Sequence, residues 1–305
     1  MTILIAGGTG LIGKRLTALL IAKGHDVHIL TRQDKSNSKS IFYFKWIVGK
    51  SIDTKAFFKH NSNEVVDGII NLTGAGIADK RWSDSRKQEI ISSRVEPARF
   101  IQRTLLDLKL KVPVYISASG SNYYNNSEKK KFVESDSVGD NYVQQVCDLW
   151  EKQAFKMKNV ADRIAVMRTG VVLAKKGSFL QKFTATTVIG VAGIFGSGHQ
   201  FLSWIHIDDL CNFYIKTIED SKISGAYNVG ISENESHLSF IKSFRIATGK
   251  KFLIAKAPVF IAKLVFGEMS TLLTDGVAIS HNKMLKTGFE LEYNTVEKAV
   301  KDLVI

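Results

Sequence analysis

Glycines 7, 8, 10 and 13 crowd into one short window directly after the apolar run Thr2-Ile3-Leu4-Ile5-Ala6. Gly8, Gly10 and Gly13 satisfy G-x-G-x-x-G, and Gly7, Gly10 and Gly13 satisfy the looser G-x-x-G-x-x-G spacing. Such spacing suits phosphate binding for a physical reason. One glycine makes the tight turn, the next lets bare main chain approach a pyrophosphate, and the last lets the following helix lie close on the strand. The helix start then offers unpaired N–H groups and the positive end of its dipole. Leu11, Ile12, Leu16, Leu19 and Leu20 recur at helical spacing just beyond. The expected dinucleotide contacts are therefore Gly7, Thr9, Gly10, Leu11, Ile12 and Gly13.

The next strand, Asp26–Thr31, should decide between the two nicotinamide cofactors. A site selective for NAD places Asp or Glu at this strand end to accept from the ribose hydroxyls. Here the end is Thr31-Arg32. A guanidinium there attracts a 2′-phosphate, and no carboxylate stands in register to repel it. The expected cofactor is NADP(H), with Thr31 and Arg32 at the 2′-phosphate end.

These residues need a scaffold, and the rest of the chain supplies its pattern. Strand-like runs at Ile41–Ile47, Val66–Leu72, Val114–Ser119 and Arg163–Arg168 alternate with helical stretches at Leu11–Lys23, Ser83–Leu110 and Tyr142–Lys158. Such alternation predicts an α/β fold, a doubly wound parallel sheet covered on both faces, with ligands at the carboxyl ends of its strands. Those ends carry Gly7–Gly13, Thr31-Arg32, Asn71-Leu72-Thr73-Gly74, Ser117-Ala118-Ser119 and Arg168-Thr169-Gly170. Beyond about residue 175 the order changes, although Ala226–Gly230 reads as a late strand. The expected division is a dinucleotide-binding domain over 1–174 and a smaller, partly interleaved substrate lobe over 175–305.

Composition narrows the class. With 305 residues, 45% hydrophobic and 23% charged, the chain is an ordinary globular protein with a sizeable core. The apolar N-terminus is too short for a secretory signal, and no apolar run approaches membrane-spanning length. Cys147 and Cys211 are the two cysteines, which argues against a disulfide framework or a zinc site, so no metal is expected and the location should be cytoplasmic. The net charge of +13 is scattered; its dense run, Lys129-Lys130-Lys131, lies in a polar loop. No nucleic-acid module is recognisable, and the basicity favours an anionic small molecule as partner. Either a monomer or a homodimer fits.

The motifs together resemble a known family. Asn71-Leu72-Thr73-Gly74-Ala75-Gly76-Ile77-Ala78-Asp79-Lys80-Arg81-Trp82, Ile116-Ser117-Ala118-Ser119, Cys147-Asp148-Leu149-Trp150-Glu151, Arg168-Thr169-Gly170-Val171-Val172-Leu173 and Phe201-Leu202-Ser203-Trp204-Ile205-His206 resemble the atypical short-chain dehydrogenases/reductases of the YfcH-like NAD-dependent epimerase/dehydratase group. Gly267-Glu268-Met269, Gly276 and Gly288-Phe289 resemble the short C-terminal domain of that group, here about 255–303. The resemblance implies a Rossmann fold. It also implies that Leu72, Thr73 and Gly74 line the ribose and pyrophosphate, with Ser117, Arg168, Gly170 and Val171 at the nicotinamide end.

The usual Tyr-x-x-x-Lys proton relay of such enzymes is missing. Four residues after Tyr43, Tyr115, Tyr123, Tyr124, Tyr142, Tyr214, Tyr227 and Tyr293 there is never a lysine. By the resemblance, Val143 and Cys147 occupy the relay positions, and Arg94 replaces the fold's asparagine, where it could bind an anionic substrate or a proton-relay water. The remaining catalytic candidates are Ser119, to polarise a carbonyl, Tyr123 or Tyr124, to supply a proton, and Lys80, to provide the cation a phenol needs. Cys147 reads as a small buried hydrophobe, and Trp150 and Glu151 as residues that orient their helix. The chain is expected to be an NADP(H)-dependent reductase or epimerase of a small or nucleotide-sugar-like substrate; the alternative is a non-catalytic NADPH-binding regulator or scaffold.

Overall fold

In the computed structural model, residues 1–60, 62–231 and 236–305 are described. The first strand, β1 (Thr2–Ala6), is buried along its whole length, as a run of aliphatic residues demands when both faces of a sheet are covered. Its alternate residues serve two cores. Ile3 and Ile5 join Leu16 and Leu20 of α1 (Leu11–Ala22) on one face, and Leu4 and Ala6 join Ala98, Ile101 and Leu105 on the other.

Around β1 the sheet grows in both directions. On one side lie β2 (Asp26–Thr31) and β3 (Ile41–Ile47), with the short β4 (Ser51–Ile52) antiparallel at the edge. On the other lie β5 (Gly68–Asn71), then β6 (Val112–Gly120) after the long helix α2 (Asp84–Asp107). The strand β7 (Lys131–Phe132) and α3 (Tyr142–Phe155) lead to β8 (Ala161–Thr169), which pairs in parallel with β6. The switch in strand order falls between β1 and β5, where Ala6 faces Asn71, so the crevice at their carboxyl ends is the natural ligand site.

Chain beyond residue 174 is shared between lobe and sheet. After β9 (Val171–Leu173), α4 (Phe179–Val188), β10 (Val191–Phe195) and β11 (Trp204–His206), helix α5 (Ile207–Glu219) packs on α1. Arg15 of α1 donates to both carboxylate oxygens of Asp208, at 2.5 and 2.6 Å. Strand β12 (Gly225–Val229) then pairs with β8, giving the order β12-β8-β6-β5-β1-β2-β3-β4. Arg163 of β8 secures this return by donating to the carbonyls of Thr217 and Ile223, at 2.8 and 2.6 Å. The late strand expected at 226–230 is thus a member of the main sheet.

The lobe proper follows with α6 (His237–Thr248), β13 (Leu253–Ala257), α7 (Val259–Phe266), α8 (Thr271–Thr274), β14 (Ala278–Ile279), α9 (Asn282–Leu285) and α10 (Val296–Val304). β13 pairs with β10 and β14 with β7, so the lobe is stitched to the loop that follows β6. Its own core is aromatic, with Phe183, Phe240, Phe244 and Trp204 all buried. Among the described residues no helix is long and apolar enough to cross a membrane.

Candidate functional site

The glycine turn is shaped by close approach. Gly7 has φ of +84°, and a Cβ there would lie 2.9 Å from the Leu72 carbonyl group. A Cβ on Gly13 would lie 2.5 Å from the Gly8 Cα, so helix and turn can only touch if both positions stay bare. Gly10 accordingly serves as N-cap of α1 with no side chain to accept from the first-turn amides. Contrast α2, α3 and α6, whose caps Ser83, Asn141 and Ser236 each accept from their own helix. Thr9 and Gly10 are exposed, and Leu11 and Ile12 partly so. This cradle fits a dinucleotide's phosphates: its donors are main chain, its helix end is uncapped, and Gly7 and Gly13 leave no room for side chains.

Across the crevice, Asn71 fixes the facing loop by accepting from the Thr73 amide at 3.1 Å and the Thr73 hydroxyl at 2.6 Å. Leu72 and Thr73 are half-buried and Gly74 is exposed. At the end of β2, Thr31 is buried and accepts from the Gln33 amide, whereas Arg32 is exposed and has no ion-pair partner among the described residues. The nearby acid, Asp34, is paired with Lys45 at 2.9 Å. A hollow of about 260 Å³ beside Gly8 and Thr9 is lined by Lys14 and Lys35 as well.

The other end of the crevice is built from side chains. Arg168, near the end of β8, makes a two-pronged pair with Glu151 of α3, at 2.9 and 2.8 Å. Ser119 donates to the same Glu151 carboxylate at 2.7 Å. Arg168 also donates to the Tyr124 hydroxyl at 2.7 Å, and that hydroxyl donates to Asn228 of β12 at 2.8 Å. The Arg168 guanidinium lies 3.5 Å from the centre of the Tyr123 ring. Burial pulls the Arg168 pKa down, but the hydrogen bonds and charge of Glu151, with help from Tyr124, more than offset this and raise it above its ordinary value. Burial raises the Tyr123 pKa against the pull of Arg168, and pushes Tyr124 up to about 12.

Several sequence expectations need correction here. Tyr124 is wholly buried and spends its proton on Asn228, so it cannot reach a substrate. Ser119 has one hydroxyl proton and gives it to Glu151, which leaves it an acceptor, not a polarising donor. Ser117 is wholly buried, and its hydroxyl donates to the Ala118 carbonyl, so a side-chain contact with cofactor is ruled out. Arg168 likewise commits its guanidinium to Glu151, Tyr124 and the Glu134 carbonyl. Lys80 is exposed in the loop before α2, and the cation on the phenols is Arg168 instead. Tyr123, half-buried, remains the phenol available for chemistry. Gly170 and Val171 lie at the junction of β8 and β9, where the Gly170 amide donates to Val229 and the Val171 amide to Ser203.

Glu151 is the residue sequence reasoning undervalued. It lies on the buried stripe Val143, Cys147, Trp150 and Ala154 of α3, and a carboxylate there needs a cation. That misplaced charge was the available signal. Cys147 is buried, as expected, and burial pushes its thiol up to about 12. His206 is structural: it caps α5 by accepting from the Asp208 amide, stacks on Tyr293 with centroids 3.7 Å apart, and reaches Asp302 at 3.2 Å. No cluster of three or more His, Cys, Asp or Glu among the described residues could hold a metal ion.

The model of the NAD dependent epimerase/dehydratase family matches residues 3–230, and a domain of unknown function (DUF1731) matches residues 257–303. The epimerase family protein YfhF of Bacillus subtilis is 30% identical over 306 residues, spanning 100% of this chain and 98% of that protein. The crystal structure of human epimerase family protein SDR39U1 (isoform2) with NADPH is similar at a TM-score of 0.88, with 26% identity over 99% of both chains. The nucleoside-diphosphate sugar epimerase of Corynebacterium glutamicum gives a TM-score of 0.75 at 26% identity, over 99% of this chain and 58% of that one. The glycine cradle at the strand switch is therefore that of a nucleotide-binding Rossmann fold, and the chain belongs to the NAD dependent epimerase/dehydratase family, with a DUF1731 domain at its C-terminal end.

Proposed function

We propose that the protein is an NADP(H)-dependent reductase or epimerase of a small or nucleotide-sugar-like carbonyl compound, with its proton supplied by Tyr123. The observation that carries this reading is the pairing of an uncapped glycine cradle and an Arg32 with no ion-pair partner among the described residues, at one end of the crevice, with a half-buried phenol on a guanidinium at the other. The human relative's structure contains NADPH, and the Corynebacterium relative is named a sugar epimerase, which supports both halves.

Gly7, Thr9, Gly10, Leu11, Ile12 and Gly13 would hold the pyrophosphate through main-chain N–H groups. Thr31 and Arg32 would meet the 2′-phosphate, and Leu72, Thr73 and Gly74 the ribose side. NADPH, when bound, would supply a hydride for the substrate carbonyl, and Tyr123 would give its proton to the oxygen that gains charge. Because burial raises its pKa, Tyr123 is protonated at neutral pH and ready to donate. The phenolate left behind would sit against Arg168, whose charge Glu151 holds in place. Gly170 and Val171 would border the nicotinamide end, with Ser119 accepting from substrate. Two free, buried cysteines support the cytoplasmic residence expected from the sequence.

The test is NADPH oxidation by purified protein over a panel of carbonyl compounds and sugar nucleotides, alongside fluorescence titration of NADPH and NADH. Turnover should fall roughly 100-fold in Tyr123→Phe with NADPH affinity unchanged. Full NADPH binding without oxidation of any panel member would replace this reading with the non-catalytic regulator.

A further inference from the structure

Three cations lie along the inner side of α2, and two of them have carboxylate partners. Arg86 donates to Glu89 at 2.6 Å, and Lys87 pairs with Glu268 of the lobe. Arg94 has none among the described residues. It is 8% exposed, and its hydrogen bond runs from Nη1 to the Ile90 carbonyl of its own helix, at 2.8 Å. Its guanidinium also lies over the Trp150 ring, 4.9 Å from the centroid. A buried cation left with an aromatic face and one carbonyl is costly, since neither replaces the water it has lost.

Two further observations show what the guanidinium faces. A Cβ placed on Gly74 would sit 3.1 Å from the Arg94 Cζ and 3.3 Å from its Nε. Gly74 is exposed and belongs to the loop after β5, so bare backbone is what separates Arg94 from the crevice. On its other side, the Cys147 thiol feels the Arg94 charge and lies 3.6 Å from where a Cβ on Gly120 would be. Gly120 ends β6 directly after Ser119, so Arg94 stands one side chain away from the reacting end of the crevice.

We infer that Arg94 anchors a carboxylate or phosphate group of the substrate, which reaches it past the side-chain-free Gly74. This rests on the reading under Proposed function for the carbonyl chemistry, but the anion site has its own measurement. A carboxylate would meet the planar guanidinium through paired hydrogen bonds, and a phosphate would do the same with charge to spare. The substrate class is thus an anionic carbonyl compound whose charged group lies across Cys147 from the carbonyl.

The experiment titrates inorganic phosphate and, separately, oxalate into the protein with and without saturating NADPH, following tryptophan emission. Trp150 under Arg94 should report saturable binding, and Trp150→Phe should abolish the signal. Arg94→Met should weaken binding roughly tenfold or more, Arg94→Lys less, and Gly74→Val should weaken it by covering an intact guanidinium. The stronger of the two anions assigns phosphate or carboxylate. Arg94→Met should also melt no lower than the parent, because it removes an unpaired buried charge. Equal anion binding by parent, Arg94→Met and Gly74→Val overturns the inference, as does a large drop in melting temperature in Arg94→Met, which would make the residue structural. Failure to bind NADPH would instead overturn the proposed function while an Arg94-dependent titration stood.

Discussion

The crevice has two ends, made by opposite means. At the Gly7–Gly13 end the working groups are main-chain amides, and what matters is that side chains are missing. At the Tyr123 end the working groups are side chains held by a buried ion pair, Arg168 with Glu151. The first end is local in sequence and tolerates no added atom at Gly7 or Gly13. The second draws on residues 119, 123, 124, 151, 168 and 228, and tolerates no lost charge. A phosphate can be gripped by any chain of the right shape, whereas a proton donor needs a tuned neighbour.

Removing charge from the second end should have the largest effect. Glu151→Ala leaves Arg168 buried without its carboxylate, a cost of about 3–5 kcal/mol read from urea unfolding. A loss under about 1 kcal/mol would mean the pair is solvated and the contrast false. Adding an atom to the first end comes next. Gly7→Ala forces a β-carbon into positive φ and against the Leu72 carbonyl, with about 1–3 kcal/mol of strain and loss of NADPH binding. Arg32→Asp should leave stability within about 0.5 kcal/mol but cost roughly tenfold to a hundredfold in NADPH affinity, with NADH gaining relatively. Tighter binding of NADH than NADPH by the parent would remove the assigned role of Arg32.

The smallest effect is a pH dependence that belongs to neither end. Burial lowers the pKa of His28, His206 and His237 below 6.5, the last to about 4. Each is neutral in the fold, so its share of stability is whole above pH 6.5 and is lost as pH falls through the folded value. Melting temperature should therefore decline between about pH 6.5 and 4, and His237→Leu should shallow that decline. An unchanged slope in His237→Leu would show that His237 is solvated.

The sequence made the first end readable because its signal is short-range: strand, glycines and helix occupy consecutive residues. The sheet was readable for the same reason, down to β2 and β3 with the bounds observed. The second end was not. Ser119 looked free because nothing near it in sequence announces Glu151, and Tyr123 looked cationless because Arg168 arrives on another strand. Tyr124 could not be told from its neighbour, since one is sealed and the other open only once β12 brings Asn228 across. The return of β12 itself was legible as a strand but not as a neighbour of β8.

That return governs how the polypeptide is made. During synthesis β8 emerges long before its partner, with the first half of the lobe still to be translated between them. For that interval β8 carries an open row of amides and carbonyls, a template for stray pairing with other nascent chains. A product halted near residue 174 would keep this edge of β8 open permanently, whereas one extended past Val229 would have it covered by β12. Here the polypeptide's own later portion acts as the guard of its earlier one.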